Sequence, residues 1–233
     1  LARLSYGLQE WSKSQVDTVR LTLPQWPSGI SNNASIWISD DGSALCSTHV
    51  SLVGYEQEEV RNVGDDELTS DLVKRLFPSI RNNNIELLEA NRLAGDYVDS
   101  TVFDFVFRIV DFSSISDKLV ACVPALLWSG SSPFTSDARQ FPIDFRYPSR
   151  YTESLDLHTN ATVLTTSFPE DFSSISPDLI FSRAVLKDEN SARILTTLYC
   201  KRTLFLPAEY HTVKNFYQSF CQSVNEPFTM TIQ

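Results

Sequence analysis

The stretch Ile36-Trp37-Ile38-Ser39-Asp40-Asp41-Gly42-Ser43-Ala44-Leu45-Cys46-Ser47-Thr48 decides the fold class. Ile36 and Ile38 lead into Asp40-Asp41-Gly42, and an Asp-Gly pair tolerates the positive φ angles of a tight hairpin turn. Beyond it Ala44, Cys46, Thr48, Val50 and Leu52 share one face of a return strand over about 43–53. Two period-two segments joined by such a turn predict an antiparallel hairpin.

The same period extends outward. Val19, Leu21 and Leu23 share a face of an earlier strand that Pro24 ends. Further strands are predicted at about 85–90, 102–112 and 119–123. In the second of these Phe103, Phe105, Phe107 and Ile109 point one way, while Asp104 and Arg108 point the other with Val102, Val106 and Val110. One apolar face and one mixed face place that strand in a sheet packed against something. A helix interrupts the pattern: Leu68, Leu72, Val73, Leu76 and Phe77 form a stripe, Asp65 or Asp66 can cap its start, and Pro78 stops it.

Ser129-Gly130-Ser131-Ser132-Pro133 combines turn formers with a loss of periodicity, so the chain divides there into residues 1–131 and 132–233. In the second part Tyr151, Glu153, Leu155 and Leu157 alternate up to a turn at His158-Thr159-Asn160, and strands follow over about 179–187 and 193–206, joined through Asp188-Glu189-Asn190. The period then changes. Tyr210, Val213, Phe216, Tyr217, Phe220, Cys221 and Val224 make an amphipathic helix over about 207–224, opened by Pro207, and Phe228, Met230 and Ile232 a last strand. The expected fold is mainly β: two β-sandwich-like domains, each with one notable helix. A lone helix in a β domain buries its stripe against a sheet, so Phe216 and Phe220 are expected core anchors. Asp-Phe-Ser-Ser-Ile-Ser occurs at 111–116 and again at 171–176 without similarity around it, a coincidence and not a repeat.

Composition excludes several function classes. The 233 residues carry 19 Lys+Arg against 29 Asp+Glu, a net charge of −10, with 42% hydrophobic residues. Nucleic acid and anionic membrane surfaces both require a basic patch, and the longest basic runs are the pairs Lys74-Arg75 and Lys201-Arg202. No apolar stretch approaches the roughly 18 to 20 residues of a membrane span. The seven Gly are scattered, so neither a phosphate loop nor a dinucleotide fingerprint exists. The N-terminus lacks an initiator Met and a signal-peptide core, which reads as a fragment or processed product.

Residues able to carry chemistry are few. Cys46, Cys122, Cys200 and Cys221 show no CxxC spacing and read as buried thiols, with a Cys200–Cys221 disulfide as the alternative. Cysteine catalysis needs a His beside the thiol, yet three-residue spacing puts Cys46 and His49 on opposite faces of one strand. His158 reads as a turn residue and His211 as a helix flank, so no metal set is expected. The pairs Asp40-Asp41, Glu58-Glu59 and Asp65-Asp66 read as turn formers and caps. Asp144, set between Ile143 and Phe145, is expected to accept bonds from backbone or from Arg139, Arg146 or Arg150. Asn33-Ala34-Ser35 and Asn160-Ala161-Thr162 fit the N-glycosylation pattern, which matters only in a eukaryotic secretory route.

From Ser132 onward the order of features resembles a known family. Ser132-Pro133-Phe134, Arg139, Phe141-Pro142-Ile143-Asp144-Phe145-Arg146-Tyr147-Pro148 and Tyr151-Thr152 are similar to the entrance of a bacterial domain of unknown function that follows a transglutaminase-like core in large exported proteins of Gram-negative bacteria. Arg202-Thr203, Leu206-Pro207-Ala208-Glu209-Tyr210 and the helix to Phe220 resemble its closing helix, and Asp41-Gly42-Ser43, Gly54-Tyr55 and Arg61 resemble the β region that links such a core to it. Arg146 stands where that family usually has Gly. The resemblance implies a non-catalytic accessory or interaction module, exported to the periplasm or cell surface. Its implied partner is an upstream transglutaminase-like core, with no catalytic, cofactor or metal residues in this chain. The alternative is a stand-alone extracellular module binding polysaccharide or peptide through exposed rings among Trp11, Trp26, Trp37 and Trp128. Exposed Trp would favour the alternative and buried Trp the accessory module.

Overall fold

The structure, a computed structural model, describes residues 6–12, 15–20, 27–58, 60–93, 100–116, 119–128, 130–159, 163–188 and 191–232. It is mainly β, with 48% strand. Strands β1 (Tyr6–Ser12) and β2 (Gln15–Arg20) pair with each other, and Leu21, Leu23 and Pro24 of the expected early strand lie outside the described residues. Then follow β3 (Ser28–Ile38), β4 (Ala44–Val53), helix α1 (Ser70–Leu76), β5 (Ile85–Leu93), β6 (Ser100–Ile109), β7 (Ser114–Ser116) and β8 (Leu119–Cys122). The remainder holds β9 (Ile143–Asp144), β10 (Ser149–Thr159), β11 (Val163–Ser167), β12 (Phe172–Ile175), β13 (Leu179–Lys187), β14 (Ser191–Cys200), β15 (Leu204–Phe205), helix α2 (Tyr210–Val224) and β16 (Phe228–Ile232).

The hairpin forms as its sequence dictates. Ile38 pairs with Ala44, Gly42 adopts φ 83°, and Asp41 accepts the Ser43 N–H at 2.9 Å. Helix α1 starts later than expected, because residues 65–67 close a turn of their own in which Gly64 N–H donates to Glu67 Oε2 at 2.9 Å. The expected 193–206 strand ends at Cys200: Lys201 N–H turns to Asp178 O at 2.8 Å, and Leu204 pairs with Asp144 instead. His158 lies within β10 rather than in a turn, paired with Trp37 of β3.

Eight strands form one mixed sheet in the order β12-β13-β14-β10-β3-β4-β6-β5. Its neighbours are antiparallel except at the centre, where β3 and β10 run parallel from the Ser28–Ser149 pair to the Ile38–Thr159 pair. The sheet break expected near 131–132 does not occur. Residues before and after that point are joined through this parallel ladder, which a local reading of turn formers cannot foresee. The ladder needs Gly29: a Cβ there would lie 1.7 Å from the Arg150 carbonyl oxygen.

One face of the sheet is buried. Ile36, Cys46, Phe103, Phe105, Phe107, Leu155, Phe181 and Ile194 join residues of α1, of α2 and of the smaller sheet β11-β16-β8-β7 in a single apolar cluster. Phe220 is buried as expected, edge-on to Phe181 at 4.9 Å and to Trp128 at 5.9 Å. Arg183 holds the end of that helix, bonding Ser223 O, Glu170 O and Glu226. No helix among the described residues is long and apolar enough to cross a membrane.

Candidate functional site

Glu153 of β10 is the buried carboxylate of the inner face, 3% exposed at a parity otherwise held by Leu155 and Leu157. It accepts from Asn32 Nδ2 at 3.1 Å on the adjoining β3, and from the backbone N–H groups of Leu126 at 3.2 Å and Leu127 at 3.0 Å. Asn32 in turn accepts from the Thr48 hydroxyl of β4. Burial pushes the Glu153 carboxyl up to about 7, against the pull of the three N–H donors. These bonds tie the segment leaving β8 to the central strands. The residue was legible as a member of the Tyr151, Glu153, Leu155, Leu157 alternation, where a carboxylate at core parity is the signal of a buried network.

Motif residues quoted from both halves meet at the opening end of the parallel pair. Gly54 takes φ 64° and a Cβ on it would strike Ser28 Oγ at 2.4 Å. The same hydroxyl accepts the Tyr55 N–H at 2.9 Å, while Ser28 N–H reaches Pro148 O at 3.0 Å. Tyr55 stacks on Tyr147 at 4.7 Å, and Glu56 accepts from the hydroxyls of Tyr147 at 3.1 Å and Tyr151 at 2.6 Å. Asp144 accepts the Arg146 backbone N–H at 2.7 Å, so its donor is main chain and not a guanidinium. Arg146 itself has φ 66°, a left-handed conformation. Gly adopts that conformation without the steric cost a Cβ brings.

The other candidates are not brought together for catalysis. All four Cys are buried and free, so Cys200 and Cys221 do not pair. Burial raises every thiol, those of Cys122 and Cys200 to about 12. Cys46 faces the core and His49 the opposite side, where His49 Nδ1 lies 2.7 Å from Asp104 Oδ1. Asp41 is a turn acceptor, its carboxyl lowered mainly by the Ser43 hydroxyl, as the sequence implied. His211 is exposed beside Tyr210. Glu59, the second sequon at Asn160-Ala161-Thr162 and Trp26 lie outside the described residues, as do the side chains of Trp11 and Asp65. Among the described residues no three His, Cys, Asp or Glu side chains gather into a metal-binding group. Trp128 is buried and Trp37 half-buried against His158, so the described residues show no row of exposed Trp.

The outer face of the sheet carries a shallow trough of about 650 Å³ crossed by β5, β6, β4, β3, β10 and β14. Arg193 makes a two-point contact with Asp156, at 2.6 and 3.0 Å, and His49 pairs with Asp104. Sequence reasoning placed Asp104 on the mixed face of its strand but missed both pairs, because cross-strand partners depend on register.

No curated protein matches the chain. Among solved structures it is similar to a crystal structure described as a candidate protease from Parabacteroides distasonis ATCC 8503, at 17% identity and a TM-score of 0.41, over 50% of this chain and 24% of that one. At that score the likeness carries no argument, and this chain spans well under two thirds of that protein's length. Residues 118–230 match DUF3858, described as a domain of unknown function with a solved structure, so a DUF3858 domain is found in this chain, beginning before the turn-rich stretch at 129–133.

Proposed function

We propose that this chain is a non-catalytic accessory or interaction module of an exported protein, placed after a transglutaminase-like or protease-like core. The observation that carries the reading is the state of the four thiols. Each is buried and raised, whereas nucleophilic cysteine must be a thiolate beside a base. The carboxylate with a raised pKa, Glu153, accepts bonds from Asn32 and two backbone N–H groups and holds chain segments together. The DUF3858 match over 118–230 supports an appended module, and the shared sheet supports residues 28–109 acting as part of it. The test is an assay of the purified chain with fluorogenic peptide amides and an acyl-acceptor amine. Rates at background are expected. Steady turnover that disappears in a Cys→Ala variant would overturn the reading.

A further inference from the structure

One buried cluster sets a hydroxyl, a carboxamide and a carboxyl side by side on three adjoining strands. Glu153 of β10 lies opposite Asn32 of β3, and Thr48 of β4, opposite Ala34, is diagonal to Asn32 on the same inner face. Asn32 is 1% exposed, Thr48 and Glu153 3%. The Thr48 hydroxyl donates to Asn32 Oδ1, while Asn32 Nδ2 donates to Glu153 Oε1 at 3.1 Å. Each end of the carboxamide is thus engaged, the carbonyl by a hydroxyl and the nitrogen by a carboxyl. The neighbouring inner-face residues Ala34, Cys46, Val50 and Leu155 are buried apolar groups that shut bulk water out.

We infer that Thr48 and Asn32 join in an intramolecular ester, with Glu153 as the acid–base group of its formation. Thr48 Oγ1 bonds to Asn32 Cγ, the Cγ–Nδ2 bond breaks, and ammonia leaves. Glu153 in its protonated form gives its proton to Nδ2, and the Thr48 hydroxyl proton replaces it, so atoms and charge balance. A hydroxyl is a weak nucleophile and an amide nitrogen a poor leaving group, so the step needs a positioned proton carrier and a fixed approach. Burial supplies the protonated carboxyl by pushing Glu153 up to about 7. It also excludes the water that would hydrolyse the ester. The reaction occurs once per chain and is separate from the accessory role.

Intact-mass spectrometry of the purified full chain tests this. The mass is expected to fall below the sequence value by one ammonia, about 17 Da. Proteolysis before aspartate divides the hairpin at Asp40-Asp41, and residues 17–39 and 41–64 are expected to remain joined as one species. Mild alkali should part them, leaving the first about 1 Da heavier because the Asn32 amide returns as a carboxylic acid. Thr48→Val, which keeps the shape without the hydroxyl, is expected to have its full sequence mass, and Thr48→Ser to keep the deficit. Glu153→Gln is expected to show at least about tenfold less cross-linked chain at equal times after synthesis. Circular dichroism checks that each variant folds, and the wild-type mass and fragments decide even where one does not. The inference is overturned if folded wild type has its full sequence mass, if the deficit persists in Thr48→Val, or if the two fragments separate without alkali. An equal rate in folded Glu153→Gln would overturn the part given to Glu153.

Discussion

Along β4, Ala44, Cys46, Thr48, Val50 and Leu52 are buried, while Leu45, Ser47 and His49 between them are exposed. The same strands therefore build two surfaces with separate tasks. On the inner face the polar groups hold structure: Glu153, Asn32, Thr48 and Arg183 each bond to a neighbouring strand, a crossing segment or the end of α2. On the outer face Arg193 pairs with Asp156 and His49 with Asp104, while Asn33 and Ser47 are exposed and Ser35 and Ser154 half-buried. The comparison teaches that changes on the inner face should cost much stability and changes on the outer face little.

The largest expected effect is on the inner face. Phe220→Ala removes a ring packed against both Phe181 and Trp128, and truncating a buried Phe costs about 3 to 5 kcal/mol. Because the sheet is continuous, the residues before 128 should lose structure together with those after it, not persist as a separate unit. Thermal melts followed by far-UV and near-UV dichroism check this.

Glu153 gives the next effect through pH. Its folded pKa of about 7 lies above the ordinary 4.5, so the folded state holds its proton more tightly than the unfolded chain. The sign follows: this contribution is complete below about 4.5 and is lost as pH rises to about 7, a loss of about 3 kcal/mol at roughly 1.4 kcal/mol per pH unit. Glu153→Gln should therefore gain stability relative to wild type between pH 4.5 and 7.5, measured by urea unfolding at a series of pH values. A difference that does not change with pH would remove Glu153 from that role.

Gly29→Ala tests the seam between the two halves. The added methyl meets the Arg150 carbonyl, and relieving such crowding costs about 1 to 3 kcal/mol. The smallest effect is a gain. Arg146→Gly relieves a left-handed residue by about 1 kcal/mol, which for a chain of this size raises Tm by about 2 to 4 °C. An unchanged or lowered Tm would argue against strain at φ 66°.

Local chemistry made much of this legible. The hairpin at Asp40-Asp41-Gly42, the Phe103, Phe105, Phe107 face and the α2 stripe are all written in residue spacing, and the structure has each of them. What spacing does not contain is which strands become neighbours. The parallel β3–β10 pair joins residues more than a hundred positions apart, and with it come Glu153 opposite Asn32 and Tyr151 near Glu56. The repeated hexapeptide makes the same point: in its second copy Phe172 opens β12, while in the first Phe112 lies in a bend before β7. Identical sequence takes its structure from the strands available to pair with it.

The central claim is that the chains on either side of residue 131 share one sheet and one core. Hydrogen exchange in increasing urea, read for amides of β3 and β4 against amides of β13 and β14, tests it most directly. The account predicts that both groups open in the same global transition with the same free energy. Exchange of one group through an opening that leaves the other fully protected would contradict it.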